Sequence, residues 1–444
     1  MITSNINFKQ LEDRIDAEYY KPEYLEVFNV LGKTKETLQS ISQIITKGET
    51  PLWRGNVYVS EGIPFLRVVN FVNEELDLSN IVYIPEFVHE RMKRSQLKPD
   101  DVLFSMAGRI GTAVIVPQNL EIANINQAVA KIRLKENVIN KYYLAVFLNS
   151  KFGHLQSLRK ASGGVQNNIN FEDIKSIKIF LPPQSFQLQI EKMVKEAEEK
   201  RKLAEEKYKE AEEVLNKELG IEDLDLSTQK TFETKFSEID RLDPEQYQPK
   251  YKVILDHLNK IQHTEINKIA MFNQRGVQPE YTNRVTGYMA LTSKCIGKKY
   301  IDYDSMPNIT EDFYYSSKEA KLTNGDMVIY TTGAYVGNTQ AITGDINAIA
   351  SNHVNILRVK DFDPVFLSFY FNSIPGQLQI KKLVSGAAQA ELYPRDIEKI
   401  IVPKISTSTQ QKISKLIQES FCFRKESKKL INDAKRKVEE MIEK

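Results

Sequence analysis

Residues 14–24 read Arg-Ile-Asp-Ala-Glu-Tyr-Tyr-Lys-Pro-Glu-Tyr, and residues 241–251 read Arg-Leu-Asp-Pro-Glu-Gln-Tyr-Gln-Pro-Lys-Tyr. Arg, Asp, Glu, Tyr, Pro and Tyr recur in register at an offset of 227. Farther along, Asn149-Ser150, Gly153 and Leu155-Gln156 match Asn372-Ser373, Gly376 and Leu378-Gln379 at an offset of 223. At that same offset Ser162-Gly163, Gln166 and Asp173-Ile174 match Ser385-Gly386, Gln389 and Asp396-Ile397, and Gln187 and Ile190 match Gln410 and Ile413. Between these blocks, Asp101 to Gly111 resembles Asp326 to Gly337 with one residue inserted. A nearly constant offset over separated blocks identifies two copies of one module of about 225 residues.

Each copy has the same grammar. A short helical opening leads into a strand-rich region with apolar runs such as Asp101-Val102-Leu103-Phe104 and Asp326-Met327-Val328-Ile329-Tyr330. A helical stretch follows, Lys141 to Leu158 or Pro364 to Leu383. A strand-like run, Ile177 to Leu181 or Ile400 to Val402, then ends at proline, and a long helix closes the copy. Runs of strands followed by runs of helices predict an α+β fold. The copies diverge most between about residues 45 and 100 and between about 268 and 325. A shared frame with diverged content suits a scaffold that reads two different things; neutral drift of surface loops is the competing explanation.

Ser185 to Leu219 contains no Gly or Pro, and Gly220 supplies a stop. Ala197, Ala204 and Ala211 open an Ala-Glu-Glu repeat every seven residues, in a seam with Ile190, Val194, Tyr208 and Leu215. A seven-residue apolar repeat is a coiled-coil pattern. The second such helix, Thr409 to Lys444, carries Ile413, Leu416, Ile417, Phe423, Leu430, Ile431, Ala434, Val438 and Met441. Mutual antiparallel pairing would bury both stripes.

Among 444 residues, 61 Lys plus Arg nearly cancel 59 Asp plus Glu, which excludes a polybasic protein but not local basic faces. The segment from Glu191 to Asp240 sums to about −6, leaving about +8 elsewhere. Cys295 and Cys422 make no disulfide framework. With no signal peptide and no apolar run of about 18 residues, a cytoplasmic protein is expected. Catalytic motifs are missing. Gly32-Lys33-Thr34 has Val27 where a phosphate loop needs glycine, and Pro182-Pro183 lacks the setting of an adenine methyltransferase motif. The five histidines show no ligand spacing; His257 and His263, six apart on a presumed helix, do not share a face. No metal and no catalytic residue is expected.

Two variable modules, each followed by a long helix, resemble the specificity subunit of a type I restriction-modification system over essentially the whole chain. The blocks that carry the resemblance are 47–51, 107–111 and 162–169, with second copies at 274–279, 332–337 and 385–389. The resemblance implies target recognition domains at 1–184 and, with a linker, 221–408, and conserved helices at 185–220 and 409–444. It implies α/β recognition domains separated by two long antiparallel coiled-coil helices. It further implies that each domain reads one half of an asymmetric bipartite target in double-stranded DNA. The helices would set the spacer and dock two methylation subunits; two restriction subunits could join. The chain would hold no cofactor, with S-adenosylmethionine expected on the methylation subunit. A coiled-coil adaptor and an enzyme with a hidden methyltransferase or nuclease site are the alternatives.

Phosphate contacts favour basic and hydroxyl side chains beside glycine-rich turns. Lys47, Arg54, Arg109 and Arg275 are the candidates, with Thr50, Ser105, Ser162, Thr331, Thr332, Tyr335 and Ser385 in or beside the same blocks. Base edges are read by Arg at guanine and by Asn or Gln at adenine. Arg67, Asn70, Gln127, Gln166, Arg284 and Gln389 are candidates for this, each also explicable as a turn cap or a surface charge, and Asn168 and Gln278 join the set of DNA-binding candidates.

Overall fold

The structure is a computed structural model, and it describes residues 6, 11, 14–51, 58–79, 81–161, 168–239, 243–385 and 390–444. They form two compact units, Met1–Lys200 with Lys425–Lys444, and Arg201–Arg424.

In the first unit the described strands Ser42–Lys47, Val129–Leu134, Val102–Ser105 and Ala113–Ile115 lie in that order in an antiparallel sheet. The run Val102 to Ser105 is buried throughout because both of its faces are covered. Val102 and Phe104 pack with Tyr143 and Phe147 of helix Lys141–Asn149, while Leu103 packs with Leu66, Val114 and Ile125. Leu66 and Ile125 belong to a second sheet, in which Ile63–Leu66 runs antiparallel to Val82–Ile84 and parallel to Asn124–Ile125. A small hairpin, Phe71–Val72 with Glu75–Leu76, completes the diverged segment.

The second unit repeats the frame. Its sheet runs Ala270–Arg275, Val354–Val359, Met327–Tyr330, Thr339–Ala341, and Met289–Leu291 pairs in parallel with Ala348–Ala350. Met327 and Ile329 face Phe366 and Tyr370, whereas Val328 faces Leu291, Cys295 and Ile356. Both sheets have a register irregularity at the same place, after Ser42 and after Ala270. The diverged segments each carry a short helix, Glu86–Arg91 and Glu311–Ser316, with 3-10 turns, and the first adds the hairpin of Phe71–Val72 with Glu75–Leu76.

Three pairs of repeated residues prove to be structural. Asp101 accepts from Arg133 at 2.7 Å and from the Lys98 amide, and Asp326 does the same for Arg358 and Thr323. Gln156 clamps both backbone groups of Lys178, and Gln379 clamps those of Ile401. Gln187 joins the Asn140 amide to the Pro182 carbonyl, and Gln410 joins Asp363 to Ile405.

The helical stretch predicted from 141 to 158 is two helices, Lys141–Asn149 and Lys151–Lys160, and its counterpart splits into Pro364–Asn372 and Ile374–Leu383. The breaks fall at Ser150 and Ser373, extended with ψ of 169° and 168°. A Cβ on Gly153 would overlap the Phe147–Leu148 backbone, and one on Gly376 the Tyr370–Phe371 backbone. Close approach of two successive helices therefore requires the repeated glycine. The strand expected at 177–181 is reduced to the bridge between Thr37 and Lys178, whereas Ile401–Pro403 pairs fully with His263–Glu265. His263 is thus in a strand, and of that pair His257 is the helical one, in Pro249–Lys260.

The long helices span Gln184–Leu219 and Thr407–Glu443. Within the first unit, Ser427 donates to the Ala197 carbonyl at 2.8 Å and Lys200 pairs with Glu426, while Ile190 and Val194 share a core with Ala434, Val438 and Ile442. Within the second unit, Ser420 donates to the Ala204 carbonyl at 2.7 Å and Lys207 lies 3.7 Å from Glu419. Tyr208, Ala211 and Leu215 pack there with Ile413, Leu416 and Ile417. In each unit the helical segments run antiparallel. Alanine brings the backbones close enough for a serine hydroxyl to bond across. Ser420, Ser427 and Ala434, seven apart, form the centre of the second seam; Phe423, Leu430, Ile431 and Met441 are half-buried at its flanks.

Candidate nucleic-acid interface

In the first unit several candidate side chains gather on adjoining turns. Lys47 ends its strand exposed, and the next residue, Gly48, lies so close to Ile125 and Asn126 that a Cβ would overlap their backbone. Thr50, exposed, donates to Gln127. The Asn126 amide bonds the Leu66 carbonyl at 3.0 Å, which places Arg67 beside the Gln127 turn. The Met106 amide bonds Ala128, and Ala107 bridges Asn168, bringing in the exposed Arg109 and Asn168. Lys47, Thr50, Arg67, Arg109, Gln127 and Asn168 therefore share one loop cluster.

Two candidates in this cluster build it rather than face outward. Asn70 is 1% exposed; its amide accepts from the Arg67 N–H at 2.9 Å and donates to the Asp77 carbonyl at 3.0 Å. Ser105 is fully buried, donates to the Arg109 carbonyl and accepts from the Thr112 N–H at 2.9 Å. Asn70 thus fixes the Arg67 turn and Ser105 the Arg109 turn. The Arg67 guanidinium lies 6.0 Å from the Tyr58 ring, and Val69 at the tip of its turn is 67% exposed.

The second unit assembles a comparable cluster around a residue that motif reading overlooked. Thr332 and Ser385 both bridge Glu391, and the Leu392 amide bonds the Thr331 carbonyl at 2.9 Å. Arg275 pairs with Glu391 at 2.7 Å, donates to the Leu392 carbonyl and lies over the Tyr393 ring. Hydrogen bonding from Tyr393, then from Arg275, holds the Glu391 carboxyl below the usual carboxylate range. Thr331 is fully buried, whereas Tyr335 is exposed on the Gly333–Gly337 turn. The offset of 223 equates Glu391 with Asn168, and that register is the signal that could have revealed it. The two clusters thus share geometry but not chemistry: a carboxylate restrains the arginine in one, and an amide stands at the same place in the other.

Gln278 is exposed just after this cluster. Arg284 is exposed in a separate loop, where the Thr282 amide bonds Asn308. Beside that loop the rings of Tyr288, Tyr314 and Tyr315 pack against one another, tilted or edge-on, with Lys321 over the last two at 4.3 and 4.6 Å. Arg54, Ser162, Gln166 and Gln389 lie outside the described residues. Among the described residues no group of His, Cys, Asp and Glu could hold a metal ion, and no helix is long and apolar enough to cross a membrane.

The sequence pattern of the family described as type I restriction modification DNA specificity domain matches residues 26–213. The chain is 26% identical over 162 residues to the type I restriction enzyme EcoBI specificity subunit of Escherichia coli, covering 36% of this chain and 34% of that protein. The match thus spans about a third of that relative's length. It is 24% identical over 398 residues, 86% of each chain, to a protein of Methanocaldococcus jannaschii named for the MjaX specificity subunit. Among solved structures, the S subunit of a type I restriction-modification system from M. genitalium matches with a TM-score of 0.42 and 13% identity, covering 92% of this chain and 94% of that one. Residues 26–213 thus match a type I restriction modification DNA specificity domain, in a frame that the chain repeats, and most of the chain's length is similar to a protein named as a specificity subunit.

Proposed function

We propose that this chain reads a bipartite sequence in double-stranded DNA, one half with each unit, and performs no chemistry itself. The observation that carries this is the recurrence of one loop cluster on one frame with different side chains. Lys47, Thr50, Arg109, Gln127 and Asn168 are proposed contacts of the first unit, joined by Arg67. Arg275, Thr332, Tyr335, Ser385 and Gln278 are those of the second, with Arg284 flanking. Asn70, Ser105 and Thr331 act beneath them as supports. Arg54, Ser162, Gln166 and Gln389 complete the proposed set. The paired helices set the spacer and dock two methylation subunits, which supply S-adenosylmethionine and methylate adenine; restriction subunits can join, and the complex works in the cytoplasm.

The test is an exchange of residues 1–185 for those of a relative, in chain co-expressed with a methylation subunit. Sequencing methylated adenines in the host genome is expected to show one half-site changed and the other retained. A target unchanged in both halves sinks this reading. Methyl transfer by the purified chain alone would instead favour the enzyme.

A further inference from the structure

The hairpin Phe71–Leu76 turns through two residues, Asn73 and Glu74, with φ of 53° and 65°. A two-residue turn with both positions left-handed strongly prefers glycine second. A glutamate there carries backbone strain, which draws attention to what its side chain does. That side chain meets Lys435 of the C-terminal helix at 2.8 Å, with both groups mostly shielded from solvent. His154 stands nearby, held below its ordinary value by burial, so it adds no competing positive charge at neutral pH.

The hairpin is also joined to the turn that presents Arg67. The Asp77 amide bonds the Asn70 carbonyl at 2.7 Å, and Asn70 holds the Arg67 amide. A continuous path thus runs from Lys435 through Glu74 and the hairpin to Arg67 and the exposed Val69. One helical turn along, Glu439 accepts from the Lys151 amide at 2.6 Å. Lys151 opens the helix whose Ser157 packs against Gly111, in the turn of Arg109. The Arg67 turn, through the hairpin, and the Arg109 turn, through helix Lys151–Lys160, are thus each linked to the same stretch of the C-terminal helix.

The second unit attaches its diverged segment differently. Lys299 lies over the Tyr208 ring at 5.1 Å, and Arg424 over the Tyr300 ring at 5.0 Å. Different diverged segments thus each make a contact to a long helix, by chemistry private to that unit.

We propose that the Glu74–Lys435 ion pair is a positioning strut that fixes the Arg67 turn on the C-terminal helix, so that the complex's discrimination of spacer length depends on it. This rests on the proposed bipartite reading. Glu74 and Lys435 are positioning residues and touch no base.

The experiment uses the full chain co-expressed with a methylation subunit. Genomic adenine methylation first gives the wild-type sequence and spacer. Duplexes with that spacer, or with one base pair more or fewer, are then compared by competition binding. Glu74→Lys and Lys435→Glu are each expected to keep the recognised bases yet lose about fivefold of the preference for the native spacer, the scale of a half-shielded ion pair. The double exchange, Glu74→Lys with Lys435→Glu, is expected to restore it. Should a single variant misfold, Glu74→Gln and Lys435→Gln remove the pair without repulsion and carry the same expectation. Unchanged spacer preference in the folded single variants, or no restoration by the exchange, overturns the strut while leaving the bipartite reading intact. A wild-type target with no two separated halves overturns both.

Discussion

At the residue scale, the repeated polar side chains are divided between holding the frame and facing outward. Gln379 is 3% exposed and satisfies both backbone groups of Ile401. Gln379→Ala is expected to destabilise by about 1–3 kcal/mol, because it strands a buried donor and acceptor; urea unfolding of the second unit's signal measures it. Glu391 carries a pH dependence. Its folded value is depressed by Tyr393 and Arg275, so its contribution is present above the ordinary glutamate value and fades as pH falls through the folded one. Hydrogen-exchange protection around Thr332 and Ser385, taken relative to the intrinsic exchange rate at each pH, is expected to fall on acidification, and Glu391→Gln should remove that pH dependence. Sequence reading distinguished these roles poorly. Asn70 and Lys47 look equally suited to DNA by residue type, and only the carbonyl of Asp77 beside the Asn70 amide shows that one is committed inward. Gln156 and Gln379 gave the opposite case, since a fixed offset revealed their recurrence but not that they clamp a strand edge.

At the element scale the patterns were more legible. The seven-residue spacing of Ala197, Ala204 and Ala211 defined a seam, and all three are buried. The partner seam was harder to find because its central residues, Ser420 and Ser427, are polar by composition. They are compatible with burial only because each hydroxyl finds a carbonyl on the facing helix. Ala204→Leu is expected to cost about 1–3 kcal/mol by overpacking and to break the Ser420 bond; thermal unfolding reads the loss. Ser427→Ala, which keeps the small volume, should cost about 1 kcal/mol. The split of the 141–158 stretch was not visible as a break in hydropathy. Its signal was Gly153, which lies a few residues past the break, where the second helix folds against the first.

At the scale of the whole molecule, duplication was legible from the sequence alone because paired frame residues kept their offset. The content of the diverged segments was not, since short strands and 3-10 turns leave little periodicity. The chain's charge of +2 conceals an acidic stretch from Glu191 to Asp240. DNA binding by the assembled complex is expected to fall steeply with salt as phosphate contacts release counterions. Titration between low and physiological salt checks this, and a flat response would favour the adaptor alternative. Deleting Ala204 to Glu210 is expected to shorten the spacer or abolish assembly, with genomic methylation as the readout.

The glutamine clamps have a consequence for how such a chain changes over time. Gln156 bonds the backbone of Phe152 and Lys178, and Gln187 bonds the backbone of Asn140 and Pro182. None of those bonds depends on a side chain of residues 58–100. A stretch of foreign sequence recombined into that interval leaves these joints as they are, and has to match only the packing of Leu66, Phe71 and Leu97 on Leu103 and the Glu74 contact to Lys435. The frame works like a socket with a few fixed pins.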